Sequence, residues 1–377
     1  MLELADIFQE YGPAYEAKYS DRMPPSHRDA LWDIAHCRTP LMGGEVYWCE
    51  QCQDSVYSYH SCGNRHCPKC GGDRADAWRD RQMDNLLPVP YFLVTVTLPH
   101  TLNPLARSHQ QLIYDLLFKT SAEALQTLAL NPDWLGGTIG LVGVLHTWDR
   151  AMGYHVHVHY LVPAGGIDPE TGAWIPSHPK FLVPASALRE LFRAKFRDAL
   201  HAADPALFAQ VPPKTWSKAW VVHCKAVGDG RTALTYLAPY IARVALSNRR
   251  LVALDEGQVT FRYKPRTTPW TTMTLDVMRF MQRFLQHVLP KGFRKIRYTG
   301  FLHPNARNTL AALQEQLAAE AADERLPEAL AATFGLKVSS DVPDDDPPRC
   351  CPRCSGPLTF VGRFPRSPHR RGPPLYN

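Results

Sequence analysis

The sequence HVHVHYLV at residues 155–162 constrains the fold of this chain more than any other segment. Histidine alternates there with valine and tyrosine, and side chains two positions apart in a β-strand point to the same face of the sheet. One face of the strand is therefore apolar, and the other carries His155, His157 and His159. Such a strand belongs in a sheet that packs a core on one side and presents polar groups on the other.

Three histidines on one face of a strand indicate a metal site. Burying imidazoles without partners costs free energy, whereas two neighbouring imidazoles can hold one divalent ion through ring nitrogens. His146, on a preceding strand predicted at 139–147, offers a third ligand. We expect the intervening hairpin to fold about Arg150–Ala151, which places His146 opposite His155 and diagonal to His157. The alternative is that His146 is a histidine of the structural core.

Cysteine spacing at the front of the chain predicts a second kind of metal site. Cys49-x-x-Cys52 is followed, after fourteen intervening residues, by Cys67-x-x-Cys70. Each pair forms a knuckle that presents two thiolates, and two knuckles complete a tetrahedral structural zinc site. We therefore expect these four cysteines to hold one Zn²⁺.

Further cysteines and histidines leave alternatives open. The side chains near the two pairs are Cys37, Cys62, His36, His60 and His66. They could form a second zinc site, or they could be packing and surface residues, and spacing alone does not decide. Near the C-terminus, Cys350, Cys351 and Cys354 could supply half of another zinc site, since they include only one C-x-x-C pair. A complete site there requires His369 or ligands from elsewhere.

A pair of tyrosines stands out in the helix predicted at 232–246. Tyr236 and Tyr240 are four positions apart, so they share one helical face. A tyrosine hydroxyl becomes an effective nucleophile toward a phosphate that is polarised by a metal ion and held in line. Two tyrosines at this spacing also occur as ordinary aromatic packing. Pro239, which stands between them in the sequence, removes a backbone hydrogen bond from the helix. The helix by itself leaves both interpretations open.

A basic, aromatic stretch suggests the partner. Residues 243–298 carry twelve Lys and Arg against three acidic residues, with Trp270 and several Phe and Tyr interleaved. Single-stranded DNA needs positive charge for its phosphates and flat rings for its unstacked bases. The net charge of +6 suits the same partner. The cations that we expect to contact DNA are Arg243, Arg249, Arg250, Lys264, Lys291 and Arg294.

Missing features exclude other classes. No apolar run approaches the ~18 residues of a membrane helix, and the acidic start MLELADIFQE differs from a secretory signal. We therefore expect a cytoplasmic protein that does not contact a membrane. The sequence has no G-x-x-x-x-G-K-[ST] phosphate loop, so we expect no built-in helicase, and we also expect no small-molecule cofactor.

Several segments together resemble the two-tyrosine HUH transposases of the insertion-sequence-ninety-one type. They are SCGNRHCPKC (61–70), VTLPH (96–100), HVHVHYLVPAGG (155–166), YLAPYIARVALSNRRL (236–251), VTFRYK (259–264) and HVLPKGFRKIRYTGFL (287–302). The resemblance implies an α+β fold, in which an HUH endonuclease domain, an antiparallel sheet flanked by helices, follows a small cysteine-rich zinc-binding domain. The expected divisions are a zinc-binding DNA-recognition domain at 1–88, a catalytic domain at 89–302, and a helical extension with an acidic linker and a cysteine-bearing basic tail at 303–377.

The resemblance also implies residue roles. It makes His157 and His159 the paired ligands of a catalytic Mg²⁺ or Mn²⁺, and Tyr236 and Tyr240 the nucleophiles. The implied activity is cutting and rejoining of single-stranded DNA at transposon ends, through a 5′-phosphotyrosine intermediate and a rolling-circle route, in a bacterial cytoplasm at the nucleoid. The alternatives are a rolling-circle replication initiator and a non-catalytic zinc DNA-binding protein derived from a transposase.

Overall fold

The computed structural model describes residues 1–70, 72–232, 234–235, 245–265, 268–323 and 350–367. The helices in these ranges are α1 (Leu4–Tyr19), α2 (Pro25–Ala35), α3 (Gly72–Met83), α4 (Asn103–Ser108), α5 (Gln110–Ala129), α6 (Ala185–Ala203), α7 (Pro205–Ala209), α8 (Lys214–Ser217), α9 (Val277–Leu285) and α10 (Arg307–Asp323). The strands are β1 (Gly44–Cys49), β2 (Asp54–Tyr59), β3 (Pro90–Thr97), β4 (Leu141–Trp148), β5 (Tyr154–Pro163), β6 (Gly165–Ile167), β7 (Trp174–Pro176), β8 (Val221–Asp229), β9 (Leu251–Asp255), β10 (Gln258–Tyr263), β11 (Thr271–Asp276), β12 (Ile296–Thr299) and β13 (Thr359–Phe364). Among the described helices, none has the length and apolarity that crossing a membrane requires.

These elements form the expected α+β fold with antiparallel sheets, divided into two compact units. The first unit contains residues 1–70 and the C-terminal residues 350–367. The second unit contains the described residues from 72 to 323. The sequence analysis assigned residues 350–367 to a C-terminal region of their own, whereas the structure groups them with the N-terminal residues.

The first unit combines a helical pair with a three-stranded sheet. Helix α1 buries Leu4, Ile7, Phe8 and Tyr15, an amphipathic spacing that lays one helical face against α2. Proline at the start of α2 suits the first helical turn, which has no intrahelical use for its backbone N–H. The sheet has the order β13-β1-β2, so the last of the described strands pairs with the first.

The second unit is built on a five-stranded antiparallel sheet of order β12-β4-β5-β3-β8. Its central strand β5 follows the predicted alternation. Val156, Val158 and Tyr160 are buried in a large core with α5 and α6, which cover that face. The histidines between them point to the opposite face. The predicted strand pattern of residues 155–162 is therefore confirmed.

The hairpin between β4 and β5 has a different register from the predicted one. His146 lies directly opposite His157, not opposite His155, and the pairing is irregular just beyond His146. The Asp149 carboxylate accepts the backbone N–H of Gly153 at 2.6 Å, which closes a compact loop. The bulge and this closed loop shift the pairing by two residues. The prediction that His146 lies diagonal to His157 was therefore wrong. In the observed register the two residues are directly opposite each other, which is a closer arrangement than the predicted one.

A second antiparallel sheet, β9-β10-β11, packs with α9. Strand β11 continues to Asp276, and α9 begins directly after it. The Asp276 carboxylate accepts the backbone N–H groups of Met278 and Arg279, so it caps the helix at the point where the strand ends.

Candidate metal centres

Strands β4 and β5 bring His146, His157 and His159 together. The ring centroids are 5.1 Å apart for His146 and His157, 4.8 Å for His146 and His159, and 4.9 Å for His157 and His159. One ring nitrogen from each histidine lies within 4.8 Å of the other two. His155 shares the face but stands outside this group, with its ring 5.5 Å from that of His100. The three grouped imidazoles could hold one divalent ion.

Hydrogen bonds orient two of these rings. Nδ1 of His157 lies 2.9 Å from the backbone oxygen of His155. Because a carbonyl oxygen only accepts, Nδ1 carries the proton and Nε2 keeps a lone pair for a metal. Nδ1 of His159 lies 2.7 Å from Oγ1 of Thr95 on β3. Such contacts to the second ring nitrogen are the usual support of a metal-binding histidine.

The electrostatic setting keeps the imidazoles neutral. Burial, with a further contribution from His159, lowers the pKa of His157 to about 3. Burial likewise lowers the pKa of His159 to about 4. The pKa of His146 is well below its usual value because of burial and the charges of neighbouring groups, including Lys295. The neutral imidazole is the form that binds metals, so no ligand needs to lose a proton at neutral pH.

Two residues near the histidines escaped the sequence analysis. Thr95 lies on β3 opposite His159. The sequence YFLVTVTL at 91–98 is typical of a β-strand, and the polar Thr95 within it was the available signal. Lys295 precedes β12, and its backbone oxygen accepts the N–H of Leu145 at 2.9 Å. The Lys295 ammonium lies 4.8 Å from the ring centroid of Trp148. Its place in the HVLPKGFRKIRYTGFL segment was the corresponding signal.

The predicted nucleophiles Tyr236 and Tyr240 lie outside the described residues. The helical residue Leu234, two positions before Tyr236 in the sequence, is buried to 1% exposure in a cluster that includes Leu161. Leu161 is two positions beyond His159 on β5, so both point to the same face of the sheet. The start of this helix therefore packs on the histidine face.

Four of the predicted DNA-binding cations are exposed in the structure. They are Arg249, Lys264, Lys291 and Arg294. Trp270, in the same stretch, is 59% exposed. Arg243 falls in a part of the chain that the structure does not describe. Exposed charges and an exposed aromatic ring are what a single-stranded nucleic acid requires of a surface.

Arg250 differs from these four cations, because its guanidinium is engaged by the protein. It donates to the backbone oxygens of Arg262 at 2.7 Å, Arg150 at 2.8 Å and Ala245 at 3.3 Å. Arg150 in turn donates to the backbone oxygen of Pro265 at 3.1 Å. These bonds fasten the β9-β10-β11 sheet to the hairpin loop that joins the two histidine strands.

In the first unit, Cys37, Cys62, Cys67 and Cys70 form one cluster. The Sγ atom of Cys70 is 3.5 Å from that of Cys37 and 3.6 Å from that of Cys62. Four sulfurs about 2.3 Å from a tetrahedral zinc ion lie roughly 3.8 Å from one another. The cluster therefore has the dimensions of a closed zinc site, and among the described residues no histidine shares it.

The predicted pairing of Cys49 and Cys52 with Cys67 and Cys70 was wrong. Cys49 and Cys52 instead group with Cys351 and Cys354. The reason is the β1–β2 hairpin, whose strands have six residues each, and which places the Cys49–Cys52 turn at its tip and the following residues at its base. Six strand residues span roughly 17 Å, too far for one ion. His369 lies beyond the part of the chain that the structure describes.

Comparisons with known proteins find several similar to this chain. A family model for a transposase zinc-binding domain matches residues 7–98, and one described as a putative transposase matches residues 140–309. The chain is 37% identical over 319 residues to the putative transposase y4qJ of Sinorhizobium fredii, covering 80% of each chain. It is 32% identical over 286 residues to the transposase for insertion sequence element IS801 of Pseudomonas savastanoi pv. phaseolicola, covering 71% of this chain and 68% of that one. No solved structure matches the chain.

Proposed function

The chain belongs to the transposases of the insertion-sequence-ninety-one type, and from this premise we propose that it cuts and rejoins single-stranded DNA at transposon ends by a rolling-circle route. The observation that carries the proposal is the cluster of His146, His157 and His159 on one face of the central sheet. Neutral imidazoles with oriented rings are suited to metal-assisted phosphate chemistry.

These three histidines would hold a catalytic Mg²⁺ or Mn²⁺. The Nδ1 contacts of His157 and His159 direct both rings so that Nε2 is available as ligand. When bound, the ion would supply Lewis-acid polarisation of the scissile phosphate. The protein's own contribution is to hold the imidazoles in place on a rigid sheet, with Thr95 fixing one ring and the His155 backbone fixing the other.

Tyr236 and Tyr240 are the proposed nucleophiles. The hydroxyl oxygen of one tyrosine forms a bond to phosphorus while the bond from phosphorus to the 3′ oxygen breaks. The tyrosine loses its proton, the departing 3′ oxygen gains one, and the 5′ end remains as a phosphotyrosine. The other tyrosine would take the second strand end. Support for this assignment comes from Leu234, whose burial on the histidine face brings the chain just ahead of Tyr236 to that side of the sheet.

The exposed cations are proposed to bind the strand. Arg249 and Lys264 lie on or beside the β9-β10-β11 sheet, and Lys291 and Arg294 precede β12 next to the histidine strand β4. They would neutralise phosphates, while Trp270 offers a ring on which a base can stack. We propose that residues 1–88 recognise the element ends, and that structural zinc holds their fold through Cys37, Cys62, Cys67 and Cys70.

The test is a cleavage assay on single-stranded oligonucleotides, with the adduct mapped by mass spectrometry. In Mg²⁺ or Mn²⁺ the protein should form a covalent adduct at Tyr236 or Tyr240, and EDTA should prevent it. The double variant Tyr236→Phe, Tyr240→Phe should form none, because phenylalanine keeps the ring and loses the attacking oxygen. Tyr263→Phe, on β10, is the matched control and should form the adduct normally. An adduct in the double variant would refute the assignment.

A further inference from the structure

Two C-x-x-C turns from opposite ends of the sequence meet in the first unit. The Sγ atoms of Cys49 and Cys354 are 3.5 Å apart, and those of Cys52 and Cys351 are 3.8 Å apart. All four sulfurs lie within 4.8 Å of one another. Disulfide sulfurs are about 2.05 Å apart, whereas sulfurs around a tetrahedral zinc ion are roughly 3.8 Å apart. The distances therefore match a metal site and not a pair of disulfides.

The two turns also share their backbone geometry. The N–H of Gln53 donates to the backbone oxygen of Cys49 at 2.8 Å, and the N–H of Ser355 donates to that of Cys351 at 2.8 Å. Gln53 and Ser355, each directly after the second cysteine, have φ angles of 52° and 59°. Left-handed backbone is uncommon outside glycine, so its recurrence at the same place in both turns marks one repeated local fold. Each turn presents two thiols to the same point.

The chain around the second turn is integrated into the same unit. Strand β13 pairs with β1 from Gly44 opposite Phe364 to Trp48 opposite Thr359. Arg353 forms an ion pair with Asp54 at 2.7 Å, between the second knuckle and the start of β2. The C-terminal residues thus supply one strand of the sheet and half of the sulfur cluster. They lie beyond the residues that either family model matches.

We propose that Cys49, Cys52, Cys351 and Cys354 bind a second structural Zn²⁺, which joins the two ends of the chain into one module. Four thiolates in a closed tetrahedral arrangement favour zinc over the harder cations that carboxylates and water bind. Each thiol loses its proton as the ion binds. The N-terminal module is then complete only when the C-terminal residues are present.

Alkylation of the unmodified, zinc-loaded protein tests the site. Cys350 and Cys354 are both exposed, but only Cys354 belongs to the cluster. With N-ethylmaleimide and mass mapping, we expect rapid labelling of Cys350 and protection of Cys354. A zinc chelator should then make Cys49, Cys52, Cys351 and Cys354 reactive together. Equal labelling of Cys350 and Cys354 in the zinc-loaded protein would overturn the proposal.

Native mass spectrometry gives the ion count. The wild type should retain two zinc ions, and the double variant Cys351→Ser, Cys354→Ser should retain one. Cys350→Ser is the matched control and should keep two. Cys354→His should also keep two, because three cysteines and one histidine form an equally common zinc site. One ion in the wild type, or two in the double serine variant, would contradict the proposal.

Discussion

The histidine cluster of the second unit and the cysteine clusters of the first unit, here called the cysteine module (residues 1–70 and 350–367), bring their metal ligands together in opposite ways. The three histidines come from one hairpin, and His146 pairs directly with His157 across two neighbouring strands. The second cysteine cluster joins side chains that are 299 and 305 residues apart in the sequence. A local hairpin on a large sheet can place its ligands before any ion arrives. A cluster whose two halves are distant in the sequence holds those segments together more firmly once its cysteines share an ion.

The two regions also differ in how deeply the residues around the metal ligands are buried. Behind the histidines, Val156, Val158 and Tyr160 are at most 1% exposed in a core with two long helices. In the cysteine module, the four central residues of β1 are only partly buried. A structural zinc site contributes an apparent free energy of about 10–16 kcal/mol, comparable to the whole stability of a small domain. We therefore expect the ion bound by the histidines to contribute to catalysis, and the zinc ions bound by the cysteines to contribute to stability.

The largest effect should come from removing a cysteine ligand. Cys67→Ser should lower the free energy of unfolding of the N-terminal module by about 4–5 kcal/mol or more, because loss of a structural metal is among the most severe single changes. Limited proteolysis and zinc content would measure this loss. Cleavage of a saturating single-stranded oligonucleotide should change less than about threefold. Cys224→Ser, on β8 and outside both clusters, is the control and should keep its zinc.

The histidine site should show the reverse pattern. His157→Ala should slow single-turnover cleavage about 10³-fold, since Lewis-acid stabilisation is worth several kcal/mol and each 1.4 kcal/mol is about tenfold. Its Tm should stay within a few degrees of the wild type. His155→Ala, on the same face but outside the cluster, should retain cleavage within about tenfold of the wild type. Undiminished cleavage by His157→Ala would remove the basis for a catalytic metal here.

An intermediate effect on metal-dependent cleavage should follow from removing the hydrogen-bond partner of one imidazole while keeping the imidazole itself. Thr95→Val removes the hydroxyl that contacts His159 at 2.7 Å while keeping the shape of the side chain. Loss of such support typically costs about 10–100-fold in metal affinity or activity. Titration of cleavage against Mn²⁺ should therefore show a raised half-saturation concentration, with the maximal rate nearly restored at high metal. Thr95→Ser should behave as the wild type, and an unchanged titration in Thr95→Val would exclude this role.

The sequence predicted the arrangement of the histidine strand better than that of the cysteine clusters, and the reason is physical. Alternation within 155–162 was enough to predict both faces of β5, because side-chain direction in a strand depends only on neighbouring positions. The opposition of His146 and His157 was missed, because a bulge and a carboxylate-closed loop set the register. The pairing of Cys49 with Cys354 was missed for a stronger reason. Nothing in the local spacing of either knuckle specifies which distant knuckle completes it.

The smallest effect separates two neighbouring arginines that sequence analysis treated alike. Arg249 is exposed, whereas the guanidinium of Arg250 donates to three backbone oxygens. Arg249→Ala should weaken binding of single-stranded DNA about two- to fivefold and reduce the slope of log affinity against log salt by about 0.7, the value for one phosphate contact on a single strand. Its Tm should not change. Arg250→Ala should instead lower the free energy of unfolding by about 1–3 kcal/mol, because three backbone oxygens lose a charged donor.

Fluorescence anisotropy at several salt concentrations, paired with thermal denaturation, distinguishes the two arginines. Arg250 also connects the β9-β10-β11 sheet to the hairpin loop through the Arg150 oxygen at 2.8 Å, so its loss should slow cleavage through misplacement of the loop. That slowing should persist at saturating DNA, whereas the defect of Arg249→Ala should disappear there. If Arg250→Ala altered only the salt slope and left Tm unchanged, Arg250 would be a phosphate contact after all. DNA binding would then involve Arg250 as well as Arg249, and the hairpin loop would not depend on Arg250 for its position.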